Sequence, residues 1–324
     1  MTLSRSHVLR WMLASAAAGV PFAARPLAAQ AADPLRIVLF PGETAATAYY
    51  AQELGMYARA KLDVRITAVQ NGAAAAAAVA GGSMDIGFSN PLSVAQGFER
   101  GLPFTALLPA ALARAGKPPS NGLIVVAKTS PIRTAKDLNG KTFGVDVIGG
   151  LPHVSVRMWI DKNGGDSSSV RFVELHFSEM AAALNSGRID AGEINVAFDP
   201  LLGKPNDPVR LLGNSYDAVG SRFCSSLWFS RTDWVNAHPD VARRFIAVMK
   251  DAATWANAHP TESAVMLAPH TKQTLADIEN STRVFYGTDM TPDLVQPVID
   301  VAAKYGLLRA SFPAAEMIGH IPAA

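Results

Sequence analysis

The chain of 324 residues is long for a single core and suits two domains of ordinary size, and 49% hydrophobic with 17% charged residues fits packed globular structure rather than disorder. Its formal charge of +2 becomes 26 − 27 = −1 once an N-terminal segment holding Arg5, Arg10 and Arg25 is set aside, leaving no basic tract for nucleic acid. The single cysteine, Cys224, excludes an intramolecular disulfide and lies far from any N-terminal site for lipid attachment.

Arg5, His7 and Arg10 precede an apolar run from Trp11 to Val20, and Ala29-Gln30-Ala31 offers a small-x-small cleavage site, so residues 1–31 read as a secretory signal. Pro21, Arg25 and Pro26 interrupt the run well short of the ~20 apolar residues a membrane span needs. Ser4 to Arg10 resembles a twin-arginine signal with its second arginine replaced by serine, which favours ordinary Sec export of a free periplasmic protein.

Leu35 to Phe40 reads as a first buried strand, and Pro41-Gly42-Glu43-Thr44 leads into a helix through Met56 with Thr44 as N-cap. Leu62 to Val69 alternates as a second strand. The Ala-rich helix Ala73 to Ala80 follows, then the strand Asp85 to Ser89 and a helix opened by Pro91, capped by Ser89 or Asn90. After the apolar stretch Phe104 to Leu112, the break from Gly116 to Asn121 marks a crossing into a second lobe, whose first strand is Leu123 to Ala127. There, a short helix and turn over Ala135–Lys141 feed the strand Thr142 to Val147. Gly149-Gly150-Leu151-Pro152-His153 then precedes a helix to Asn163. Such glycines either expose N–H groups to an anion or carbonyl oxygen, or simply make a tight turn. Val170 to Leu175, a helix over Met180–Leu184 and the strand Ile189 to Asn195 follow, with Val209 to Leu212 a further strand and Ser225 to Ser230 the return. Helical patterns cover Pro239–Ala258, Glu262–Ala268, Thr271–Glu279 and Pro292–Tyr305. The expected division is lobe one over 33–112 and 225–324, and lobe two over 121–222.

One stretch occurs twice, as AAAAAAVAGGSMDIGFSN ending at Asn90 and EMAAALNSGRIDAGEIN ending at Asn195. Gly82 and Gly187, Asp85 and Asp190, Gly87 and Gly192, and Asn90 and Asn195 share one offset, 187 − 82 = 105. A Gly past a helix supplies the left-handed C-cap and the apolar run after it a buried strand, so each copy is the αβ half of a βαβ unit. Ligands of open α/β sheets bind beyond the carboxyl ends of strands, so two such lobes frame a cleft.

The segments AQELGMYARAKLDVRI, GGSMDIGFSNP, SPIRTAKDLNGKTFGV, LNSGRIDAG and HPDVARRFIAVMKDAATWANAHP resemble the periplasmic substrate-binding proteins of ABC importers for nitrate, taurine, alkanesulfonates and pyrimidine precursors, the NMT1/THI5-like family. The resemblance spans essentially the mature chain. It implies an α/β, two-lobe periplasmic-binding-protein fold of the class II type, with the lobes joined by two crossing strands and closing on a small ligand. It also implies an inner-membrane ABC permease as partner, a monomer, and no cofactor or metal. Carried over position by position, the implied ligand contacts are Gly42, Glu43 and Thr44; Ser89, Asn90 and Pro91; Gly149, Gly150, Leu151 and His153; and Glu193 and Asn195. Pyrimidine-precursor members carry Pro-Asn-x-x-His in the first loop, and taurine-like members an aromatic with Trp-x-Pro near Glu193, so this chain departs from both.

Glu43 and Glu193, if they line the pocket, require a ligand with amine, amide or hydroxyl donors; otherwise they face solvent or cap helices. His153 either donates to a ligand oxygen, as a pH-sensitive clamp, or caps its turn. Arg222 is the leading anion partner, with Arg157 next, and Tyr49, Trp159 and Trp228 either stack on a ring or fill the core. No Gly-x-Ser-x-Gly, His-Glu-x-x-His, Cys-x-x-Cys or phosphate-loop pattern is present, so the chain reads as a non-enzyme. The alternatives are a thiamine-pyrimidine synthase on the same fold, whose cysteine-rich motif one cysteine cannot supply, and a sensor subunit feeding a membrane kinase.

Overall fold

A computed structural model describes residues 31–117, 121–195, 207–271 and 273–319, and the segment read as a secretory signal lies outside them except for its last residue, Ala31. The first stretch contains β1 (Asp33–Leu39), α1 (Thr47–Glu53), α2 (Met56–Arg59), β2 (Leu62–Ala68), α3 (Gly72–Ala80), β3 (Ile86–Ser89), α4 (Pro91–Glu99) and β4 (Phe104–Arg114). Next come β5 (Leu123–Ala127), β6 (Thr142–Val145), α5 (Leu151–Lys162), β7 (Arg171–Glu174), α6 (Phe177–Asn185), β8 (Ala191–Ile194), β9 (Val209–Asn214) and α7 (Tyr216–Val219). The chain then runs through β10 (Arg222–Arg231), α8 (Thr232–Ala237), α9 (Pro239–Ala258), α10 (Pro260–Leu267), α11 (Leu275–Glu279), β11 (Phe285–Tyr286) and α12 (Pro292–Lys304).

Among the described residues these strands form two sheets, one ordered β11-β4-β10-β3-β1-β2 and the other β7-β6-β8-β5-β9. In the first, β1 is parallel to β2 and β3, while β10 enters antiparallel between β3 and β4. In the second, β6 is parallel to β7 and β8, and β5 lies antiparallel between β8 and β9. Every parallel pair is joined through a helix, as a right-handed crossover demands. The two passages between the sheets bond to each other, Ser215 N to Gly122 O at 2.7 Å and Ala115 N to Ser221 O at 2.9 Å.

The 105-residue repeat has the same hydrogen bonding in both copies. Gly82 (φ 71°) and Gly187 (φ 70°) are left-handed residues after α3 and α6. In each, the glycine N–H and the next N–H return to the helix: Gly82 to Val79 O and Ser83 to Ala78 O, Gly187 to Leu184 O and Arg188 to Ala183 O. These bonds satisfy carbonyls that the helix end would leave orphaned. The following Asp then clips onto a neighbouring strand. Asp85 accepts from Arg36 N (2.8 Å) and donates its own N–H to Arg36 O; Asp190 does the same with Thr142 (2.8 Å). Gly87 is required by packing, since a Cβ there would lie 2.5 Å from the Phe229 ring.

The helix expected from Thr44 to Met56 is broken into a 3₁₀ turn (Glu43–Ala45), α1 and α2, because Gly55 adopts a left-handed φ of 65° between the last two. The helix expected from Thr271 shortens to α11, where Thr274 and Asp277 form a reciprocal capping box that sets its start. Trp228 is a core residue, fully buried with ring contacts to Phe88 (5.2 Å) and Phe245 (5.9 Å), and Tyr49 stacks on His270 at 3.9 Å. Across the back of the molecule, α12 buries Val295, Val298 and Ile299 in one apolar cluster with Leu92 of α4 and Leu151, Val154 and Met158 of α5. That pad joins helices that follow strands of both sheets.

Candidate functional site

In the first sheet the carboxyl ends of β1, β2 and β3 lead into Pro41–Thr44, Val69–Asn71 and Asn90, each opening a helix. Gly42 stands beside open space and Thr44 is half-buried. Glu43 is buried, and its carboxylate is taken up inside the lobe: Arg283 Nε bonds to Oε1, and Val284 N donates to the same oxygen at 3.2 Å. Burial pushes this carboxyl up from its ordinary value while Arg283 pulls it back. The charge expected to face a ligand is thus engaged by a guanidinium that also ties Pro260 O (2.6 Å), Ser263 Oγ and Tyr50 Oη. Asn90 caps α4 by accepting from Ser93 N (2.9 Å), as Asn71 caps α3 through Ala74 N (3.0 Å), with Pro91 at the first helical position. Ser89 is fully buried, and its hydroxyl occupies the space a Cβ at Gly72 would need, 2.3 Å away.

In the second sheet β6, β7 and β8 end at Asp146, at Leu175 with His176, and at Asn195. The Gly149-Gly150 turn does not present its N–H groups as an anion cradle. Gly149 N donates to His153 Nδ1 (3.2 Å) and Gly150 N to Val147 O (3.1 Å), while Ile148 N donates to Glu174 Oε2 (3.1 Å). His153 is therefore a turn latch with Nδ1 as acceptor and its ring edge-on to Phe172 (4.5 Å). Burial, assisted by Arg157, lowers its pKa from 6.5 to about 4, so it stays neutral in the range where a pH clamp would act. Leu151 is fully buried in the apolar pad rather than offered to a ligand.

Glu193 lies on the face of β8 that α5 covers, 1% exposed and opposite Ile124 of β5. It bonds to Ser215 in the passage between sheets, which in turn meets Ser155 of α5 (Oγ to Oγ, 3.0 Å). Asp146 is close enough to repel it electrostatically, and burial together with that repulsion raises the Glu193 carboxyl well above its ordinary value. Asp146 is itself raised by burial and held back by His176 and the Phe177 N–H. Arg222 is exposed at the first position of β10, opposite Arg114, where the passage enters the strand and not at a strand's carboxyl end.

Buried polar atoms almost always have partners, so those without one call for an explanation. Among the described residues, Ser89 Oγ, Glu193 Oε2 and Asn195 Oδ1 are buried without a hydrogen-bond partner, and so are Thr47, Ser226, Arg210 and Trp228 atoms. The first three stand at the carboxyl ends of β3 and β8, equivalent strands of the two repeats. Between the lobes, Gln96 Nε2 of α4 donates to Gly149 O at 3.3 Å.

The model of the family described as NMT1/THI5 like matches residues 43–263. The chain belongs to this family. A candidate binding protein of Brucella abortus is 26% identical over 243 residues, covering 72% of this chain and 70% of that one. Two solved structures similar to this chain are the periplasmic aliphatic sulphonate binding protein SsuA from Escherichia coli and the alkanesulfonate-binding protein SsuA from Xanthomonas axonopodis pv. citri, bound to MOPS. The first has TM-score 0.73, 16% identity and coverage of 90% of this chain and 94% of that one. The second has TM-score 0.70, 20% identity and coverage of 90% and 99%. These likenesses establish a two-lobed periplasmic-binding-protein fold.

Within this NMT1/THI5-like chain, the implied contacts fall into two groups. Gly42, Thr44, Ser89, Asn90, Pro91, Glu193 and Asn195 stand at strand ends, with Asn90 also capping α4, while Glu43, Leu151, His153 and both glycines of the turn are spent on internal bonds or packing. Asp146, Ser155, Ser215 and Gln96 were not singled out from sequence. Asp146 had a visible signal, as an acid directly after a buried strand and before the Gly pair. Ser155, Ser215 and Gln96 had none, because their partners lie 60 and 53 residues away along the chain.

Proposed function

We propose that this protein is the periplasmic solute-binding component of an ABC importer, exported by its N-terminal signal, acting as a monomer and passing one small organic solute to a membrane permease. The observation that carries this reading is the set of unpartnered buried atoms, Ser89 Oγ from one repeat and Glu193 Oε2 and Asn195 Oδ1 from the other, at equivalent strand ends. A solute touching both sets favours the closed arrangement, because only there does it gain both groups of hydrogen bonds. Membership of the family and the likeness to sulphonate-binding and ABC-import proteins support the same reading. Binding in place of turnover is supported by Cys224, which is buried, bonded to Ser226 O (2.9 Å) and raised in pKa by burial, the reverse of an activated nucleophile. Thermal denaturation across sulfonates, carboxylates, aromatic acids, pyrimidines and amines tests the proposal. A solute present at a hundred times its Kd adds about 2.7 kcal/mol and raises the melting temperature by several degrees. If no class raises it, the receptor reading fails.

A further inference from the structure

We infer that the captured solute is an organic amine, offering N–H donors and a positive charge to a site furnished with hydrogen-bond acceptors and carboxylates; this rests on the receptor reading above. The six strand-end segments are Phe40–Thr44, Val69–Gly72, Ser89–Pro91, Asp146–Gly150, Glu174–His176 and Glu193–Asn195. Among these described residues the charged side chains are Glu43, Asp146, Glu174 and Glu193, with His176, and there is no lysine or arginine. The nearby guanidiniums are occupied elsewhere. Arg283 is spent on Glu43, Arg157 lies over the Tyr305 ring (4.5 Å), Arg114 lies over Phe285 (3.8 Å), and Arg222 is exposed on the passage between sheets.

Some of the backbone donors that could substitute for a cation are already engaged. Gly149 and Gly150 bond internally, and the side chains of Asn71, Asn90 and His176 accept N–H groups at the starts of α3, α4 and α6. An anion entering here would meet Asp146 and Glu174, with no lysine or arginine in these segments to receive it. The independent sign of a ligand is the unpartnered acceptor set: Ser89 Oγ and Glu193 Oε2, both on side chains more than nine-tenths buried, with Asn195 Oδ1. All three can accept, and an ammonium supplies three donors.

The groups facing Glu193 are Asp146 beyond β6, Ser155 of α5, and Ser215 with Tyr216 on the passage; behind Asp146 stand Glu174 and His176. No lysine or arginine among them balances Glu193, and burial with the repulsion from Asp146 raises its carboxyl well above the ordinary value. An ammonium arriving at Oε2 favours the carboxylate, and the proton leaves Glu193 for the buffer, balancing charge in the site.

The experiment is isothermal titration calorimetry of the full mature protein at pH 7 in two buffers of different ionisation enthalpy. The probes are ethanolamine, putrescine and agmatine, with butanesulfonate as the anionic arm and choline as a cation lacking N–H donors. The expected result is binding by at least one amine with release of a fraction of a proton up to one, and affinity that rises with pH between 6 and 8. Glu193→Gln should lower that affinity at least tenfold and abolish the proton release, and Asp146→Asn should reduce both. A fold-independent check is that both variants unfold cooperatively in urea before titration. Binding of butanesulfonate but of no amine overturns the inference and leaves the receptor reading standing. Amine binding without proton release, or unchanged in Glu193→Gln, overturns the role assigned to Glu193 and with it the inference. No binding by any probe overturns the amine assignment, and the broader thermal panel then decides the receptor reading separately.

Discussion

Replacing Arg283 with leucine removes the counter-charge from a carboxylate that is otherwise enclosed. Glu43 and Arg283 have side chains 8% and 17% exposed, and the guanidinium also bonds Pro260 O, Ser263 Oγ and Tyr50 Oη. Removing one partner of a buried pair costs about 3–5 kcal/mol, and the residual exposure of Arg283 places this case near the lower end, about 3 kcal/mol. The loss depends on pH. Burial already raises the Glu43 carboxyl and Arg283 pulls it down, so in the variant the folded-state pKa climbs further above the unfolded one. The folded state then holds more protons than the unfolded chain, and stability falls as pH rises from the ordinary carboxyl range. Urea unfolding of the mature protein should therefore show a small penalty near pH 4 and the full penalty at pH 7. Adding Glu43→Gln to Arg283→Leu should restore a substantial part of it. A variant within 1 kcal/mol of the parent at pH 7, or a penalty equal at pH 4 and 7, would refute the reasoning.

Gly82→Ala and Gly187→Ala each place a Cβ at a left-handed residue (φ 71° and 70°) and should each cost about 1 kcal/mol in urea unfolding; a cost at one glycine alone would break the equivalence of the repeats. Asn90→Leu should lose about 1 kcal/mol of stability with the α4 cap as well as solute affinity, whereas Asn195→Leu, which caps no described helix, should weaken binding by roughly 1–3 kcal/mol; unchanged affinity in both removes them from the site. His153 should titrate by NMR with a midpoint of about 4, with the proton on Nε2 above that. Since its folded pKa lies below the unfolded 6.5, the stability it contributes is present above 6.5 and lost as pH falls towards 4; a midpoint near 6.5 contradicts the latch.

The two lobes were legible because the repeat combines three local signals, the Ala-rich helix, the left-handed Gly and the Asp, whose bonds lie within a few residues or to an adjacent parallel strand. Strand ends were legible for the same reason, and with them Ser89, Asn90, Glu193 and Asn195. What sequence could not supply was which polar groups are already paired. Glu43 looked like a ligand contact until Arg283, 240 residues away, occupied it. The Gly149-Gly150 pair looked like an anion cradle until His153 and Val147 took its donors. Ser155 and Ser215 gained meaning only when the passage between sheets carried Ser215 up to Glu193.

A receptor of this kind holds one molecule between Ser89 and Asn195. Native mass spectrometry of protein unfolded to strip it, refolded, and exposed to a small-solute extract of its host measures that directly. The expected result is a single 1:1 adduct of low mass that disappears in the Ser89→Val, Asn195→Leu double variant. No adduct, or the same adduct on both proteins, would contradict it.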